Sequence, residues 1–264
     1  MTNSTRSRTQ AQRADQTRAR ILAAAVRQFS ENGLAGARTE QIAEQAGVNK
    51  ALLYYYFKSK QILYEAALEA TVNNVVMSSL AAMDAGCSAG ERLLQFVLNH
   101  FDRIHSQRAF QSLMQQEMMR LHRGEENALA PLVDKVFRPT MARMRQVLAE
   151  GIASGELIQV DEMQIMYGVL GANVFYFLSA PVMGILMGTN PLERSALEVR
   201  RKIAIEYLGQ AVFTDRAHGA RLAARVLAST PMPSPAAIDA SAIHRILPHC
   251  IVPAPEKAGK ARLK

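Results

Sequence analysis

The sequence predicts an all-α protein on three observations. Apolar residues recur at three- and four-residue intervals through most of the chain, capping residues and glycines fall at the ends of those runs, and no stretch alternates apolar with polar residues as a strand would. The 264 residues, 49% of them hydrophobic and 20% charged, are enough to bury a substantial core, and they contain no internal repeat.

The elements follow in order. Residues 1–14 are polar and Arg-rich without periodicity, and read as a flexible basic arm. Ile21, Leu22, Ala25, Val26 and Phe29 repeat at helical spacing between about Gln16 and Asn32, and Gly33 supplies the stop. Thr39 is placed to cap a short second helix carrying Ile42, Ala43 and Ala46, which ends at Gly47, a residue that tolerates positive φ. Asn49 caps a third helix reaching about Tyr55, and Ser59 caps a longer fourth over "KQILYEAALEATVNNVVMSSLAAM". Ser88 and Glu91 have capping-box spacing ahead of Leu93, Leu94, Phe96, Val97 and Phe101. A helix is expected from near Ser106 through "FQSLMQQEMM", and a long one from about Leu129 to Ser154 with a stop at Gly155. Asp161 with Gln164 opens an uncharged segment that should break at Ser179-Ala180-Pro181. Asn190-Pro191, a cap followed by proline at the first helical position, opens the next helix, which runs to Phe213. Beyond Phe213 the chain is rich in Pro, Ala and Ser. Apart from one helix near Asp215 to Leu227 it reads as an extension with little fixed structure.

Charge is uneven along the chain. Residues 1–60 hold ten Arg and Lys against Asp15, Glu31, Glu40 and Glu44, which leaves +6 of the total +8 there. That asymmetry favours a polyanion at the N-terminal end, bound through phosphate neutralisation, with a solubilising basic tail as the alternative. Cys87 and Cys250 are too few for a disulfide framework and fit a reducing cytoplasm. The N-terminal twenty residues have no apolar stretch after their charges, so no secretory signal is expected.

The sharpest local pattern lies between Thr39 and Leu53. Ala43 is small where a second helix would crowd the first, Gly47 follows four residues later in the turn, and Leu53 plugs inward six further on. This is the steric signature of a helix-turn-helix, whose second helix enters the DNA major groove. At about 100° per residue, an inward Leu53 turns Ala51 and Tyr55 outward and leaves Leu52 and Tyr54 on the flanks. The aromatic run "YYYFKSK" (54–60) then divides by direction: Tyr54 and Tyr55 toward a DNA backbone or packed on the first helix, Tyr56 at the margin, Phe57 in the core.

Taken whole, "RTEQIAEQAGVNKALLYYYFKSKQILYEA" resembles the N-terminal region of the TetR family, the tetracycline repressor-like regulators. Thr39, Ile42, Ala43, Ala46, Gly47, Val48, Leu53, Tyr54, Tyr56, Phe57, Lys60 and Leu63 fall in register on that family's pattern. Asn49 stands where serine is usual and keeps the cap, and Ala51 replaces the usual glycine and stays small. Leu52 occupies a position that is often polar in the family; an apolar side chain there reaches a thymine methyl but no hydrogen-bonding edge. The resemblance is carried by motif over residues 16–68 and by architecture beyond.

It implies an N-terminal three-helix DNA-binding domain with the helix-turn-helix (15–60) after the arm (1–14), a larger C-terminal helical domain for ligand binding and dimerisation (61–214), and a partly disordered extension (215–264). The implied DNA-facing set is Arg38, Thr39, Asn49, Lys50, Leu52, Tyr54, Tyr55, Tyr56 and Lys60. Lys50 and Leu52 suit base contacts, Tyr54 and Tyr55 suit phosphates, and Lys60 adds its ammonium to the free N–H groups of a helix start. The implied function is that of a dimeric, ligand-responsive regulator in the cytoplasm at the nucleoid, most often a repressor on a pseudo-palindromic operator. No cofactor is called for.

Met163 to Leu192 contains no charged residue, and three readings fit it: a membrane span anchoring the regulator through residues 163–188, a buried core helix, or an oligomer interface. Pro181, four glycines, Gln164 and Asn173 dilute it. The resemblance favours the interface, with Val174, Phe177, Leu178, Ile203 and Tyr207 on it, and makes a membrane unnecessary. Soft apolar residues could line a ligand pocket for a small apolar or aromatic effector, or simply fill a core: His100, Phe101, Met114, Glu117, Met118, Phe137, Met141, Asn173 and Tyr176 are the candidates, the first, fourth and eighth as polar anchors. His100 and His105 lack the i, i+4 spacing of a metal pair, and no nucleotide, zinc-protease or serine-hydrolase motif occurs, so neither a metal site nor a catalytic set is expected.

Overall fold

A computed structural model describes residues 2–84 and 88–234, without the side chains of residues 2–11 and 84; Cys87, Cys250 and the basic C-terminal tail lie outside it. The helices are α1 (Thr2–Gly36), α2 (Thr39–Gln45), α3 (Lys50–Tyr56), α4 (Lys60–Asp84), α5 (Ala89–Ser106), α6 (Arg108–His122), α7 (Ala130–Leu132), α8 (Arg138–Ala153), α9 (Glu162–Met187), α10 (Arg194–Ala211) and α11 (Arg216–Ser229). Among the described residues there is no strand, only an isolated antiparallel bridge between Leu157 and Phe213. The chain divides into two compact units, one holding residues 2–74 with Ser112–Ala128, the other residues 75–111 with 129–234.

In the first unit, Ile21, Leu22, Phe29, Ile42, Leu53, Phe57, Leu63 and Leu68 are buried. Phe29 and Tyr64 meet edge to face at 5.0 Å. The Tyr64 hydroxyl then donates to the Glu117 carboxylate at 2.8 Å. Glu117 is fully buried and also accepts from Arg120 Nη1 (2.7 Å) and the Ala128 amide (2.6 Å), so a carboxylate without water has three donors instead. Burial and this neighbouring charge push the Tyr64 phenol well above its ordinary range. Earlier on α6, Ser112 Oγ donates to Ser30 O (2.6 Å), and beside Glu117, Gln116 Nε2 donates to Phe29 O and Ser30 O (3.3 Å each), fastening α6 to the end of α1.

In the second unit, Leu93, Leu94, Phe96 and Val97 of α5 pack with Val147 and Leu148 of α8, Leu208 of α10, and Leu222, Ala223 and Val226 of α11. A buried ion pair joins α10 to α5, with Arg201 Nε and Nη2 donating to Asp102 at 2.7 and 2.8 Å; Nη2 also reaches Thr230 O (2.8 Å). The α10–α11 crossing is closest at two glycines: a Cβ on Gly219 would stand 1.9 Å from Gly209 O.

The structure corrects several expectations. The backbone of residues 2–14 belongs to α1 rather than to a flexible arm. Gly33 does end the regular helix, at φ 68°. The helix after Leu129 is one helical run with a π-turn at Val133–Phe137. α9 does not break at Ser179-Ala180-Pro181: it continues to Met187, because Phe177 and Ala180 are anchored in the interior directly before the proline, and packing outweighs the local penalty. Asn190 caps a turn, accepting from Leu192 N at 3.0 Å, and α10 begins three residues beyond Pro191 with Glu193 as its cap residue. α11 is an integral part of the core, so the ordered fold passes the expected boundary at 214 and reaches at least Ser229.

Glu117→Ala would strand three buried donors. We expect it to destabilise the chain by about 3–5 kcal/mol in urea denaturation. Glu117→Gln, which keeps volume and an acceptor, should lose less.

Candidate functional site

The turn between α2 and α3 is closed by three backbone bonds: Ala46 N to Ile42 O, Gly47 N to Glu44 O and Val48 N to Ala43 O, each 3.0 Å. Gly47 sits at φ 64°, where a side chain would be strained, and Ala43 is buried against the crossing helix. Asn49 caps α3 by accepting from Leu52 N at 2.7 Å. Leu53 is the one buried residue of α3, and Phe57 is buried immediately after it under the guanidinium of Arg18 (5.5 Å). Lys50, Ala51, Leu52 and Tyr55 are exposed, and Tyr54 and Tyr56 are half-buried.

On this surface the polar groups engage one another. Thr39 is the first residue of α2 instead of its cap; Arg38 holds the cap position, exposed and without a side-chain cap bond. The Thr39 side chain is buried (6% exposed), with its hydroxyl 3.3 Å from the Tyr54 hydroxyl. Lys50 pairs with Glu40 and lies 6.0 Å over the Tyr54 ring. Each partner stabilises the other's charge: the Lys50 ammonium holds Glu40 below the usual carboxylate range, and Glu40 raises Lys50. Tyr55 is flanked by Tyr56, edge on at 5.5 Å, and by the Lys58 ammonium at 5.9 Å. Burial pushes the Tyr56 phenol up, and its hydroxyl bonds to Thr17. Lys60 Nζ donates to Ala35 O at 3.0 Å, while Ser59 Oγ caps α4 by accepting from Ile62 N at 3.1 Å. Sequence reasoning missed Glu40 and Lys58. Glu40 is ten residues from Lys50, and only the crossing of α2 and α3 brings the two together.

The pocket candidates are dispersed. Met114, Glu117 and Met118 belong to the first unit, the others to the second. The Glu117 carboxylate is consumed by its three donors, and Met118 is 54% exposed. Phe101 is buried with Ile104, Phe177 and Leu197; Met141 packs on the main core of its unit, and Phe137 is half-buried in the π-turn. Asn173 is buried and donates from Nδ2 to Val97 O (3.3 Å) and toward His100 Nδ1 (3.4 Å), a ring that stacks on Phe96 at 6.3 Å. Burial lowers the His100 pKa to about 4, in keeping with an Nδ1 that accepts. Asn173 also lines a hollow of about 630 Å³ between α9 and α10, and Tyr176 lines a second of about 450 Å³ further along the same groove.

Of the interface candidates, Phe177 is corrected: it is buried within its own unit, 6% exposed. Val174, Leu178, Ile203 and Tyr207 are exposed, and Tyr167, Phe175, Val182, Ile185 and Val199 extend the same two helices' apolar surface. α9 is long and apolar enough to cross a membrane by length and composition, yet it bears Asn173 and receives the Arg200 guanidinium on the Ala172 carbonyl (3.3 Å). A mid-helix cation is unfavourable in a bilayer and ordinary in a protein groove.

A rigid turn presenting a short helix with an outward lysine and phenol, among described residues that form helices and no strand, has the form of a helix-turn-helix DNA-binding regulator. Residues 21–67 match the family model for bacterial regulatory proteins of the tetR family, and residues 90–208 match that for the tetracyclin repressor-like C-terminal domain. The chain belongs to the tetR family; it is a DNA-binding transcriptional regulator and not an enzyme.

Its curated relatives match over short stretches. It is 51% identical over 59 residues to the HTH-type transcriptional repressor NicS of Pseudomonas putida, covering 22% of this chain and 28% of that one. It is 58% identical over 48 residues to the HTH-type transcriptional regulator RutR of Escherichia coli, covering 18% and 23%. Less than a third of those relatives' length is therefore spanned. Among solved structures, a gamma-butyrolactone receptor aligns at TM-score 0.59 with 20% identity, over 83% of this chain and all of that one. A ketosteroid transcriptional regulator of Mycobacterium tuberculosis aligns at 0.56 with 20% identity, over 75% and 95%. Those two likenesses are of fold.

Two outcomes are expected. Glu40→Gln, which releases Lys50, should tighten DNA binding at low salt and steepen the dependence of affinity on salt, read by fluorescence anisotropy. The lowered His100 pKa means the unfolded chain takes up a proton more readily than the folded one. Its contribution to stability is therefore complete above about pH 6.5 and is lost as pH falls toward about 4. His100→Gln should flatten that part of the urea-denaturation profile.

Proposed function

We propose that the protein is a homodimeric repressor that binds a pseudo-palindromic operator and is released by a small, largely apolar effector, acting in the cytoplasm at the nucleoid. The observation that carries the DNA half is α3: with Leu53 inward, it turns Lys50, Leu52 and Tyr55 outward on a rigidly capped seven-residue helix. Lys50 and Leu52 are assigned to base edges, Leu52 to a thymine methyl, and Tyr54, Tyr55 and Lys60 to phosphates, with Arg38 and the basic residues of early α1 adding sequence-independent affinity. Relatives described as repressors support the sign of regulation.

The exposed apolar surface of α9 and α10, with Ile185 at 86% and Tyr207 at 72% exposure, supports a second copy as its cover. A two-fold pair of α3 helices about 34–36 Å apart would read half-sites one helical turn apart. The effector half rests on the apolar hollows along α9, and solved relatives described as receptors or regulators for a gamma-butyrolactone or a ketosteroid agree with an apolar ligand. Release requires only that the ligand favour a spacing of the two α3 helices different from the one the operator favours.

A gel shift with the DNA upstream of the protein's own gene tests this. The chain should form a complex that Lys60→Ala combined with Tyr54→Ala weakens strongly, Lys60→Ala alone lowering the salt slope by about 1. Undiminished binding by the double variant would sink the assignment. In sedimentation the chain should run as a dimer, and Val182→Glu should shift it to monomer.

A further inference from the structure

α1 continues past the helices it packs on. Between Thr17 and Arg20 one of its faces meets both ends of α3: Thr17 is bonded to the Tyr56 hydroxyl, and Arg20 Nη1 lies 3.5 Å from where a Cβ on Gly47 would stand, in the turn before α3. N-terminal to that contact the helix runs on through residues 2–16, about 22 Å at 1.5 Å per residue, and Gln12, Arg13, Asp15 and Gln16 are exposed.

This overhang has nothing to bury. Ala11 and Ala14 are the only apolar residues between Thr2 and Gln16, so neither a core nor a bilayer surface suits it. What it carries is positive charge in register. Arg6, Arg13 and Arg20 recur at seven-residue intervals, which drift by only about 20° per step on a helix and so share a face. Arg13 is one turn before Thr17, whose Oγ1 donates to the Arg13 carbonyl at 2.9 Å, so the arginine face is the one α1 turns toward α3. Asp15, the sole acid before Glu31, falls about 160° around the helix from Arg13 and leaves that face unopposed. A polar helix without burial, and with no acid three or four residues from Arg6, Arg8 or Arg13, is not held by its own sequence. A polyanion laid along the arginine face would hold it.

We propose that the overhang is a rail for the sugar–phosphate backbone of double-stranded DNA. With α3 in the major groove, the face bearing Arg6, Arg13 and Arg20 lies along the strand that borders the groove and carries the contact past the base pairs α3 reads. Two features select duplex DNA as the polyanion. The face is continuous with the reading surface through Thr17, Arg20 and the turn at Gly47, and its arginines repeat in a line at steps of about 10 Å, as suits the regular charge of a rigid duplex. A helix about 10–12 Å across is too broad for a minor groove about 6 Å wide, so the contact is with backbone and carries no sequence information. The proposal rests on the α3 reading above and adds to it a second, sequence-independent contact of defined register.

The full chain and its variants are compared on duplex DNA from upstream of the protein's own gene, by fluorescence anisotropy over a salt series and by hydroxyl-radical footprinting. Arg13→Gln should lower the slope of log affinity against log salt by about 1 per protomer bound. It should also lose protection at backbone positions outside the guanines shielded from methylation, with the guanine pattern itself unchanged. Arg13→Lys should keep the slope. Gln12→Arg added to Arg13→Gln returns the charge about 100° around the helix and should not restore it. An unchanged slope or unchanged backbone protection in Arg13→Gln would overturn the proposal. So would full recovery by Gln12→Arg, because a basic tail of no fixed face would then suffice. The two readings separate cleanly. If Lys60→Ala with Tyr54→Ala weakens the complex while Arg13→Gln leaves the slope intact, the rail alone is removed; if Arg13→Gln lowers the slope while the double variant binds undiminished, the rail stands and the α3 assignment falls.

Discussion

A carboxylate that has lost all contact with water holds the DNA-reading unit in shape. Glu117 draws Tyr64 of α4, Arg120 of α6 and the backbone at Ala128 onto one point, and the cost of separating any of them is that of an unpaired buried charge. Because α6 is pinned there, its neighbouring residues Ser112 and Gln116 can hold the last carbonyls of regular α1, just before the chain turns at Gly33. Lys60 ties the first residue of α4 to the Ala35 carbonyl. The end of α1 and the start of α4 are thereby fixed, and α2 and α3 are strung between those two points. Their own short length would not suffice: seven-residue helices are marginal alone.

The reading surface itself is a balance of attraction and restraint. Net positive charge supplies affinity for any phosphate backbone, and Glu40 occupies Lys50 in the free protein; on the reading proposed above, DNA competes for that ammonium. A lysine held by a carboxylate gives less to non-specific DNA than to a site where it gains a guanine edge. Leu52, 37% exposed on the same helix, offers no hydrogen bond, and on the reading proposed above it meets a thymine methyl. Thr39, expected among the DNA-facing set, is buried with its hydroxyl 3.3 Å from that of Tyr54.

Much of this was legible because it is local. The A-x-x-x-G-x-x-x-x-x-L spacing of Ala43, Gly47 and Leu53, the caps at Asn49, Ser59, Ser88 and Asp161, and the stops at Gly33 and Gly155 each act within a few residues, and the structure contains all of them. What was not legible depends on partners distant in sequence. Glu117 was read as a ligand anchor because its three donors lie 53, 3 and 11 residues away, and no spacing rule joins them. Phe177 was read as an interface residue because an uncharged helix gives no sign of which face turns inward. Pro181 was read as a break because proline's penalty is local while the packing that overrides it is not. The helix near Asp215 to Leu227 was legible and is α11, but its place in the core was not, because that depends on Gly209 and Gly219 letting two helices approach at a distance no side chain would allow.

α9 shows where composition stops and polar detail begins. A helix that is apolar on every side can lie in lipid, in a core or against another chain, and hydropathy treats the three alike. The polar atoms do not. Asn173 spends its amide on Val97 and His100, which places one side of α9 firmly on α5, and Arg200 lays a guanidinium across the helix at Ala172 and Tyr176. A helix committed on one side to a half-buried histidine and crossed on another by a cation has polar requirements that lipid cannot meet. Its remaining apolar side is exposed, and on the reading proposed above a second copy of the chain covers it.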